Sequence, residues 1–247
     1  ELAERVRRGE RLAALGGMAA SVAHEIRNPL AAISGSAELL ASSDLGDPQG
    51  ARASEDRRLL EIIRRESTRL SDMVRDLLAF TRPRAPVPVR VELDTSVRAT
   101  AESFAADPAN AGITMVFDGG PGVEVEVDPS QLGQVLWNLM RNAAEALDGQ
   151  GTIRVAVGAE DGDACIEVSD DGKGIAADRM EHIFDPFFTT KEHGTGFGLA
   201  IVHRIVHDNG GTIRVRSTPG LGSTFTIAFP RMQDKIESSS SGELSID

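Results

Sequence analysis

The stretch DPSQLGQVLWNLMRNAAEAL, residues 128–147, contains a strong helix signal in this chain of 247 residues. Asp128 offers a side-chain oxygen to the free N–H groups of a helix start, and Pro129 suits the first turn because its missing N–H is not needed there. Asn138 and Asn142 lie four residues apart, so both amides share one helix face. Such a pair can be ordinary surface polarity, or it can offer neutral oxygen ligands to magnesium beside phosphate groups.

Around this helix, short strands alternate with further helices. Two β-type runs precede it at 113–117 and 123–127, and another helix is predicted over 94–106. TIRVAVGA and ACIEVS follow as adjacent strands, and TIRVRST with TFTIAF predicts a hairpin around PGLG. The last helix ends at Gly210 and Gly211, residues typical of a helix terminus. The sequence therefore predicts an α/β layer of about five strands and three helices.

The N-terminal region has a heptad pattern instead. Between Arg11 and Leu40 the apolar residues recur at spacings of three, four or seven, with a positions at 12, 19, 26, 33 and 40. The turn residues of SSDLGDPQG, 42–50, end this helix, and a second helical pattern runs through 59–77. One helical hairpin cannot bury two apolar stripes by itself. We therefore predict that two hairpins pair into a four-helix bundle and that the protein is a homodimer.

The proline-rich stretch TRPRAPVPVR, residues 81–90, predicts a boundary between these two regions. The predicted organisation is a helical domain over 1–82, a linker over 83–90, an α/β domain over 91–230 and a disordered tail over 231–247. The chain begins at Glu1 inside a helical pattern. We therefore expect it to be a piece of a longer protein with a sensor or membrane segment upstream.

Charge and composition exclude several classes of partner. The net charge is −12, and the whole excess of acidic residues lies after residue 82, so no basic cluster is available for nucleic acid. No run approaches the roughly 18 apolar residues of a membrane span, so we expect no membrane contact by this fragment. The single cysteine, Cys165, allows neither a disulfide framework nor a zinc ribbon. These features predict a cytoplasmic location.

His24 lies in SVAHEIRNPL, residues 21–30, and raises the question of a reactive side chain. With Ile26 at an a position, His24 falls at f, the position farthest from the apolar seam, and it should be exposed. Glu25 follows directly, and Asn28 shares the face of His24. An exposed histidine is most often an ordinary surface residue. Zinc hydrolysis is excluded, because Asn28 stands where a zinc-protease helix needs a second histidine.

Two glycine-containing segments follow in the α/β region. In SDDGKGI, Asp170 precedes glycines that are typical of a simple turn or of a close backbone approach. In GTGFGLAIVHRIV, alternating glycines lead into a helix, as a phosphate site at a helix N-terminus requires. A dinucleotide fingerprint is excluded because Leu199 takes the place of its third glycine, and no GxxxxGK[ST] segment occurs.

These segments together resemble one protein family. AHEIRNPL, NLMRNAAEA, DDGKGI, FDPFFTTK, GTGFGL and GLGSTFTIAFP match, in order, the sequence boxes of sensor histidine kinases of two-component systems. The resemblance covers roughly residues 10–230. Within the family, FFTTKEHGTGFGLAIVHRIVHDNGG is most similar to the nitrogen-regulation type.

The resemblance implies a fold and a reaction. The helical region corresponds to the dimerisation and phosphotransfer hairpin, and the rest to the α/β sandwich that gyrase, mismatch-repair and chaperone ATPases share. His24 becomes the phosphoacceptor, and Glu25 takes a proton or fixes the imidazole tautomer. Asn28 corresponds to a position that orients water for dephosphorylation of the regulator. The implied partner is a response regulator receiver domain.

The resemblance also implies ATP and Mg²⁺ as cofactors. Asn142 matches the metal ligand, and Asp170 matches the acceptor of the adenine amino group, with its following glycines letting the base approach. Phe184, Phe187 and Phe188 would anchor a mobile lid. The further implied nucleotide-binding residues are Asn138, Gly172, Gly174, Lys191, Gly194, Gly196, Gly198, Leu199 and Thr224.

Two alternatives remain at this point. A catalytically silent, dimeric nucleotide-binding scaffold would need the same fold without the reaction. A chaperone- or gyrase-type ATPase would place a glutamate base four residues before Asn142, where this chain has Asn138.

Overall fold

The computed structural model describes residues 23–24, 26–41, 51–81, 84–120, 122–160, 162–191 and 196–231. Several predictions lie outside these residues: the first heptads, Glu25, the turn at 42–50, Gly194 and the tail from 232. The chain forms two compact units. The helical unit contains the residues up to Ala85 together with His182–Ile201, and the α/β unit contains Pro86–Glu181 and the residues from Val202 onward.

The helical unit is built on two helices, α1 over 26–41 and α2 over Ala51–Thr81. The predicted a positions Ile26 and Ile33 are part-buried, and the residues three positions after them, Pro29 and Ser36, are buried. His24 is exposed. The burial pattern therefore confirms the predicted heptad register, in which the histidine lies away from the apolar seam. Within the described ranges, no helix combines the length and apolar composition that a bilayer crossing requires.

The α/β unit has a main sheet of five strands in the order β2-β4-β5-β7-β6, in which only β2 and β4 are parallel. A separate two-stranded antiparallel sheet joins β1 to β3. The strands are β1 Val89–Glu92, β2 Ile113–Asp118, β3 Glu124–Val127, β4 Gly151–Glu160, β5 Asp163–Asp170, β6 Thr212–Thr218 and β7 Gly222–Pro230. The helices are α3 Leu93–Ala105, α4 Pro129–Ala146 and α5 Gly198–Asp208. The five main strands and three helices confirm the predicted layer.

The sequence prediction differs from the structure near the connector. Strand β1 begins at Val89, inside the stretch predicted as a linker, and β3 pairs with β1 and not with the main sheet. The four residues VRVE follow three prolines within six positions, so the local sequence predicts a connector and not a strand. Their pairing with β3 is a contact between distant parts of the chain, which no local pattern encodes.

The hydrophobic core lies on one face of the main sheet. Along β4, Ile153 and Val155 are buried, and Arg154 between them is exposed. Helix α4 covers this face, with contacts to β4, β5 and β7. Its buried residues are Leu132, Val135, Leu136, Asn138, Leu139, Met140 and Ala143. Each large apolar side chain buried here contributes roughly 1.5–3 kcal/mol, so the core fixes both the position and the rotation of α4.

The predicted N-cap of α4 is confirmed. Asp128 is 3% exposed, and its Oδ1 accepts hydrogen bonds from the backbone N–H groups of Ser130, at 2.9 Å, and Gln131, at 3.2 Å. Its Oδ2 accepts from the N–H of Val87 in the connector, at 3.0 Å. The Asp128 N–H donates to Oδ1 of Asn209, just after α5, at 2.9 Å. One buried residue therefore joins the connector, the start of α4 and the end of α5.

Replacing Asp128 by Ala should lower the free energy of unfolding by about 2–4 kcal/mol, because the cap is lost and three N–H groups lose their acceptor. Asp128→Asn should cost less, since an asparagine oxygen still caps the helix. Urea denaturation of the chain followed by circular dichroism measures both.

Asp107 provides the matched control, because it caps only the exposed turn Pro108–Asn110 by accepting from the N–H of Ala109 at 2.9 Å. Asp107→Ala should cost about 1 kcal/mol or less. Equal losses in the free energy of unfolding for the two alanine variants would show that Asp128 acts only as an ordinary helix cap.

Candidate functional site

The asparagine pair of α4 contains an unusual buried amide. Asn138 is 8% exposed, and its Nδ2 has no hydrogen-bond partner among the described residues. Asn142, one turn later, is part-buried. A buried donor without an acceptor costs about 1–3 kcal/mol, and a core helix does not normally tolerate that cost. The position therefore suits a polar ligand with acceptor oxygens, as phosphate groups have.

The Asp170 loop is attached to the other end of the same helix. Asp170 ends β5, and its Oδ1 accepts from the N–H of Gly172 at 2.9 Å. The N–H of Lys173 donates to the carbonyl oxygen of Ala146, the last residue of α4, at 3.2 Å. The asparagine pair therefore lies on α4, and the loop that follows Asp170 is hydrogen-bonded to the end of the same helix.

The glycines of this loop pack closely against protein backbone. A Cβ atom on Gly172 would lie 2.6 Å from the Ala146 carbonyl oxygen, and one on Gly174, whose φ is +66°, would overlap the Thr218 carbonyl oxygen. The glycines therefore let the loop pack between α4 and the β6–β7 turn. The approach of a base to these glycines stays a prediction.

The register of β7 determines which hydroxyl residue shares a face with Asp170. Asp170 pairs with Ser223, and Ser169 pairs with Thr224. Paired residues of antiparallel strands point to the same face, and successive residues of one strand point to opposite faces. Thr224, predicted as a nucleotide contact, therefore lies on the face opposite Asp170. Ser223, which is buried, is the hydroxyl residue of β7 on the Asp170 face, and the nucleotide contact of Thr224 stays a prediction.

The segment His182–Ile201, in the helical unit, carries the predicted aromatic anchor. Phe187 has a φ of +68°, a strained value for a bulky residue, and its N–H donates to the Gly196 carbonyl oxygen at 2.9 Å. Its ring centroid lies 4.5 Å from that of Phe197, which is 1% exposed and 5.5 Å from the ring of Phe80 in α2. Phe197 and Phe80 complete this aromatic cluster and were missed by the motif analysis.

The remaining predicted residues lie between the middle and the C-terminal end of this segment. Helix α5 begins at Gly198, and Leu199 lies in its first turn and is part-buried. Lys191 is part-buried, and its backbone N–H donates to Oγ1 of Thr189 at 3.1 Å. A glycine-led helix start provides free N–H groups of the kind that bind anions, which is the geometry predicted for this segment.

The phosphoacceptor candidate, His24, lies in the helical residues 23–24, just before α1. His24 and Asn28 are both exposed, and the helical backbone carries them on one face. Glu25 lies outside the described residues, so its part in proton transfer stays a prediction.

A metal site of charged or histidine ligands is not formed in the described part of the chain, where no three His, Cys, Asp or Glu side chains cluster. The asparagine amide oxygens of α4 offer a different donor set. Neutral oxygens beside a phosphate site fit Mg²⁺, which keeps most of its waters and takes few protein ligands.

Cys165 carries no sign of reactivity. It lies part-buried on β5, on the face opposite Ile166. Burial, with a smaller contribution from the charge of Glu160, raises the pKa of its thiol. The thiolate is therefore disfavoured at neutral pH, and a nucleophilic role is not indicated.

Comparison with known proteins agrees with this geometry. Residues 14–86 match the family described as His Kinase A (phospho-acceptor) domain, and residues 127–233 match the histidine kinase-, DNA gyrase B- and HSP90-like ATPases. The sensor histidine kinase ZraS of Escherichia coli (strain K12) is 41% identical over 230 residues, which cover 93% of this chain and 48% of ZraS. The kinase AtoS of the same organism is 36% identical, covering 93% of this chain and 37% of AtoS.

Solved structures give the same result. The histidine kinase ThkA, in complex with the response regulator protein TrrA, matches with a TM-score of 0.77 and 31% identity, covering 95% of this chain and 67% of that one. A phosphoacceptor hairpin joined to an ATP-binding α/β domain defines the class. The chain belongs to the two-component sensor histidine kinases. It spans about half the length of ZraS and little more than a third of the length of AtoS.

The unpartnered amide of Asn138 leads to a stability prediction. Asn138→Leu should raise the free energy of unfolding of the ligand-free chain by about 1 kcal/mol, because an apolar isostere removes an unsatisfied buried donor. Thermal unfolding without nucleotide measures this effect.

Asn110 serves as the control, since its Nδ2 donates to the Phe104 carbonyl oxygen at 2.8 Å. Asn110→Leu should be destabilising. If Asn138→Leu were also destabilising by more than about 1 kcal/mol, the amide would have a structural partner. The hypothesis that this amide binds a ligand would then be wrong.

Proposed function

We propose that this chain is a kinase core that transfers the γ-phosphoryl group of ATP to His24 and then to an aspartate of a response regulator. The observation that carries the proposal is the buried, unpartnered amide of Asn138, on a helix that also holds Asn142 and the Asp170 loop. A site that stores an unsatisfied donor is complementary to a ligand rich in acceptor oxygens. The exposed imidazole of His24 supplies the nucleophile.

The proposed phosphotransfer balances without a further reactant. A ring nitrogen of neutral His24 attacks the γ-phosphorus, a P–N bond forms, and the bond to the β–γ bridging oxygen breaks, so that ADP leaves. The imidazole loses its other ring proton, for which Glu25 is the proposed acceptor. The phosphoryl group then passes to a regulator carboxylate and the histidine regains a proton.

Each part of the nucleotide has proposed binding residues. Asp170 accepts from the adenine amino group, and the Nδ2 of Asn138 donates to phosphate oxygen. The N–H groups at the start of α5 are proposed to bind phosphate as well. When bound, Mg²⁺ neutralises charge on the phosphate oxygens, and Asn142, with Asn138 beside it, would hold the ion.

We also propose that the protein works as a homodimer. Leu39 on α1 and Leu60 and Leu78 on α2 are each more than half exposed in the single chain. Apolar side chains exposed on two heptad helices favour pairing with a second hairpin, because burial returns about 25 cal/mol for each Å² removed from water.

The proposed partner of the hairpin is a receiver domain. ThkA, the structural relative described above, is reported in complex with a response regulator. A cytoplasmic location and a nitrogen-regulation-like subtype complete the proposal, and both rest on sequence alone.

Incubation with γ-labelled ATP and magnesium tests the kinase activity. We expect one acid-labile label per active site, because phosphoramidate bonds hydrolyse in acid, and we expect no label on His24→Ala. The matched control is His207→Ala, another exposed histidine on a helix, which should label normally. Acid-stable label, or label that persists in His24→Ala, would contradict the proposal, and no label on the native chain would favour the silent scaffold.

Asn28 is proposed to orient the water that dephosphorylates the regulator. Asn28→Ala should label His24 at a rate within about twofold of the native chain and lose at least tenfold of the phosphatase rate, the usual size of a lost positioning contact. Ser34→Ala, another exposed polar change on α1, is the control and should leave both rates unchanged. Unchanged dephosphorylation by Asn28→Ala would show that the role is wrong.

A further inference from the structure

We propose that Ser217, on β6, is a positioning and specificity-determining residue for the nucleotide site. It holds the Asp170 loop in place and sets the direction of the Ser223 hydroxyl. This inference rests on the proposed function, since it assigns a role in binding ATP.

Ser217 makes three hydrogen bonds at the base of the loop. Its Oγ accepts from the N–H of Ile175 at 2.8 Å, donates to the carbonyl oxygen of Gly222 at 2.9 Å, and lies 3.0 Å from Oγ of Ser223. Ile175 is 42 positions away along the chain and ends the glycine-containing loop. The serine therefore ties the loop to the strand that follows α5.

A second contact next to the serine strengthens this connection. The N–H of Gly220, in the β6–β7 turn, donates to the Lys173 carbonyl oxygen at 2.8 Å. Gly174 lies against the backbone of Thr218 with no room for a Cβ atom. The backbone N–H of Lys173 also donates to the Ala146 carbonyl oxygen at the end of α4. The loop is therefore hydrogen-bonded to α4 on one side and to the β6–β7 turn on the other. Among the described contacts, Ser217 contributes the only side chain that holds the loop against the β6–β7 hairpin.

The donor count settles the direction of the hydroxyl pair. A serine hydroxyl has one proton and two lone pairs. The Gly222 carbonyl can only accept, so it takes the Ser217 proton, and the Ile175 N–H takes one lone pair. The Ser223 hydroxyl must therefore donate its proton to the second lone pair of Ser217.

This direction has a consequence for the nucleobase. Ser223, Asp170 and Ser217 lie in one row across the sheet, because Asp170 pairs with Ser223 and Ser223 pairs with Ser217. With its proton committed to Ser217, Ser223 has only lone pairs left for other contacts. Asp170 and Ser223 therefore form an edge that only accepts hydrogen bonds. Opposite the C6 substituent of a base, such an edge favours the donating amino group of ATP over the carbonyl oxygen of ITP.

The test compares two isosteric variants of the full chain. Ser217→Thr keeps the hydroxyl, whereas Ser217→Val has a methyl group in its place, and both β-branched residues suit a strand. The dissociation constants of ATP and ITP are measured by equilibrium binding, and kcat and KM for ATP by His24 labelling.

We expect Ser217→Val to weaken ATP binding at least about tenfold relative to Ser217→Thr, because the Ile175 N–H and the Ser223 O–H lose their acceptor. The kcat at saturating ATP should stay within about twofold, since His24 and the asparagine pair are untouched. The preference for ATP over ITP should fall in the valine variant only, because its Ser223 hydroxyl is free to turn and donate. Ser169→Ala, on the opposite sheet face, should match the native chain.

Equal ATP affinity of the threonine and valine variants would overturn the inference, as would a lower kcat with unchanged affinity. If Ser217→Val does not fold, Ser217→Cys replaces it, and native affinity in that weakly hydrogen-bonding variant would overturn the inference equally. A native chain that binds no ATP would reject the proposed function and this inference together. A native chain that binds ATP while the two variants agree would reject the inference alone.

Discussion

The carboxylate of Asp128 is the interaction on which the α/β unit most depends. Its two oxygens serve different elements, one capping α4 and the other holding Val87, which is 41 positions earlier in the chain. The backbone of the same residue is bound to Asn209, 81 positions later. A carboxylate that is buried this deeply needs hydrogen-bond donors, and both Asp128 oxygens have them, so the connector, α4 and the end of α5 are positioned together.

Helix α4 connects the Asp128 hydrogen bonds to the candidate site residues. It begins at Asp128, holds Asn138 and Asn142 in its second half, and ends at a carbonyl group that accepts from the Asp170 loop. Core packing rather than helix propensity fixes its rotation, since its apolar face is buried against the sheet. The same packing keeps Asn138 buried, although its Nδ2 has no hydrogen-bond partner among the described residues.

Local rules predicted a large part of this structure. The cap at Asp128, the heptad that exposes His24, the five strands of the main sheet and the ordered motifs all rest on contacts within a few residues. The predictions that differ from the structure involve distant partners. Strand β1 exists because it pairs with β3, and only the pairing of β5 with β7 places Ser223 on the face of Asp170. Shifting a register by one residue reverses every side chain, and motif spacing contains no information about register.

The sequence by itself determined the family, the helical and α/β regions, and the residue types that carry the chemistry, because those depend on periodicity, caps and the order of motifs. Only the tertiary structure decided that the loop glycines pack against backbone, that the Nδ2 of Asn138 has no partner among the described residues, and that Ser217 joins the Asp170 loop to β6. These are hydrogen bonds and close contacts between segments far apart in the chain. Their free energy depends on burial and on distances of a few tenths of an ångström, which only the folded arrangement of α4, the loop and the β6–β7 turn establishes.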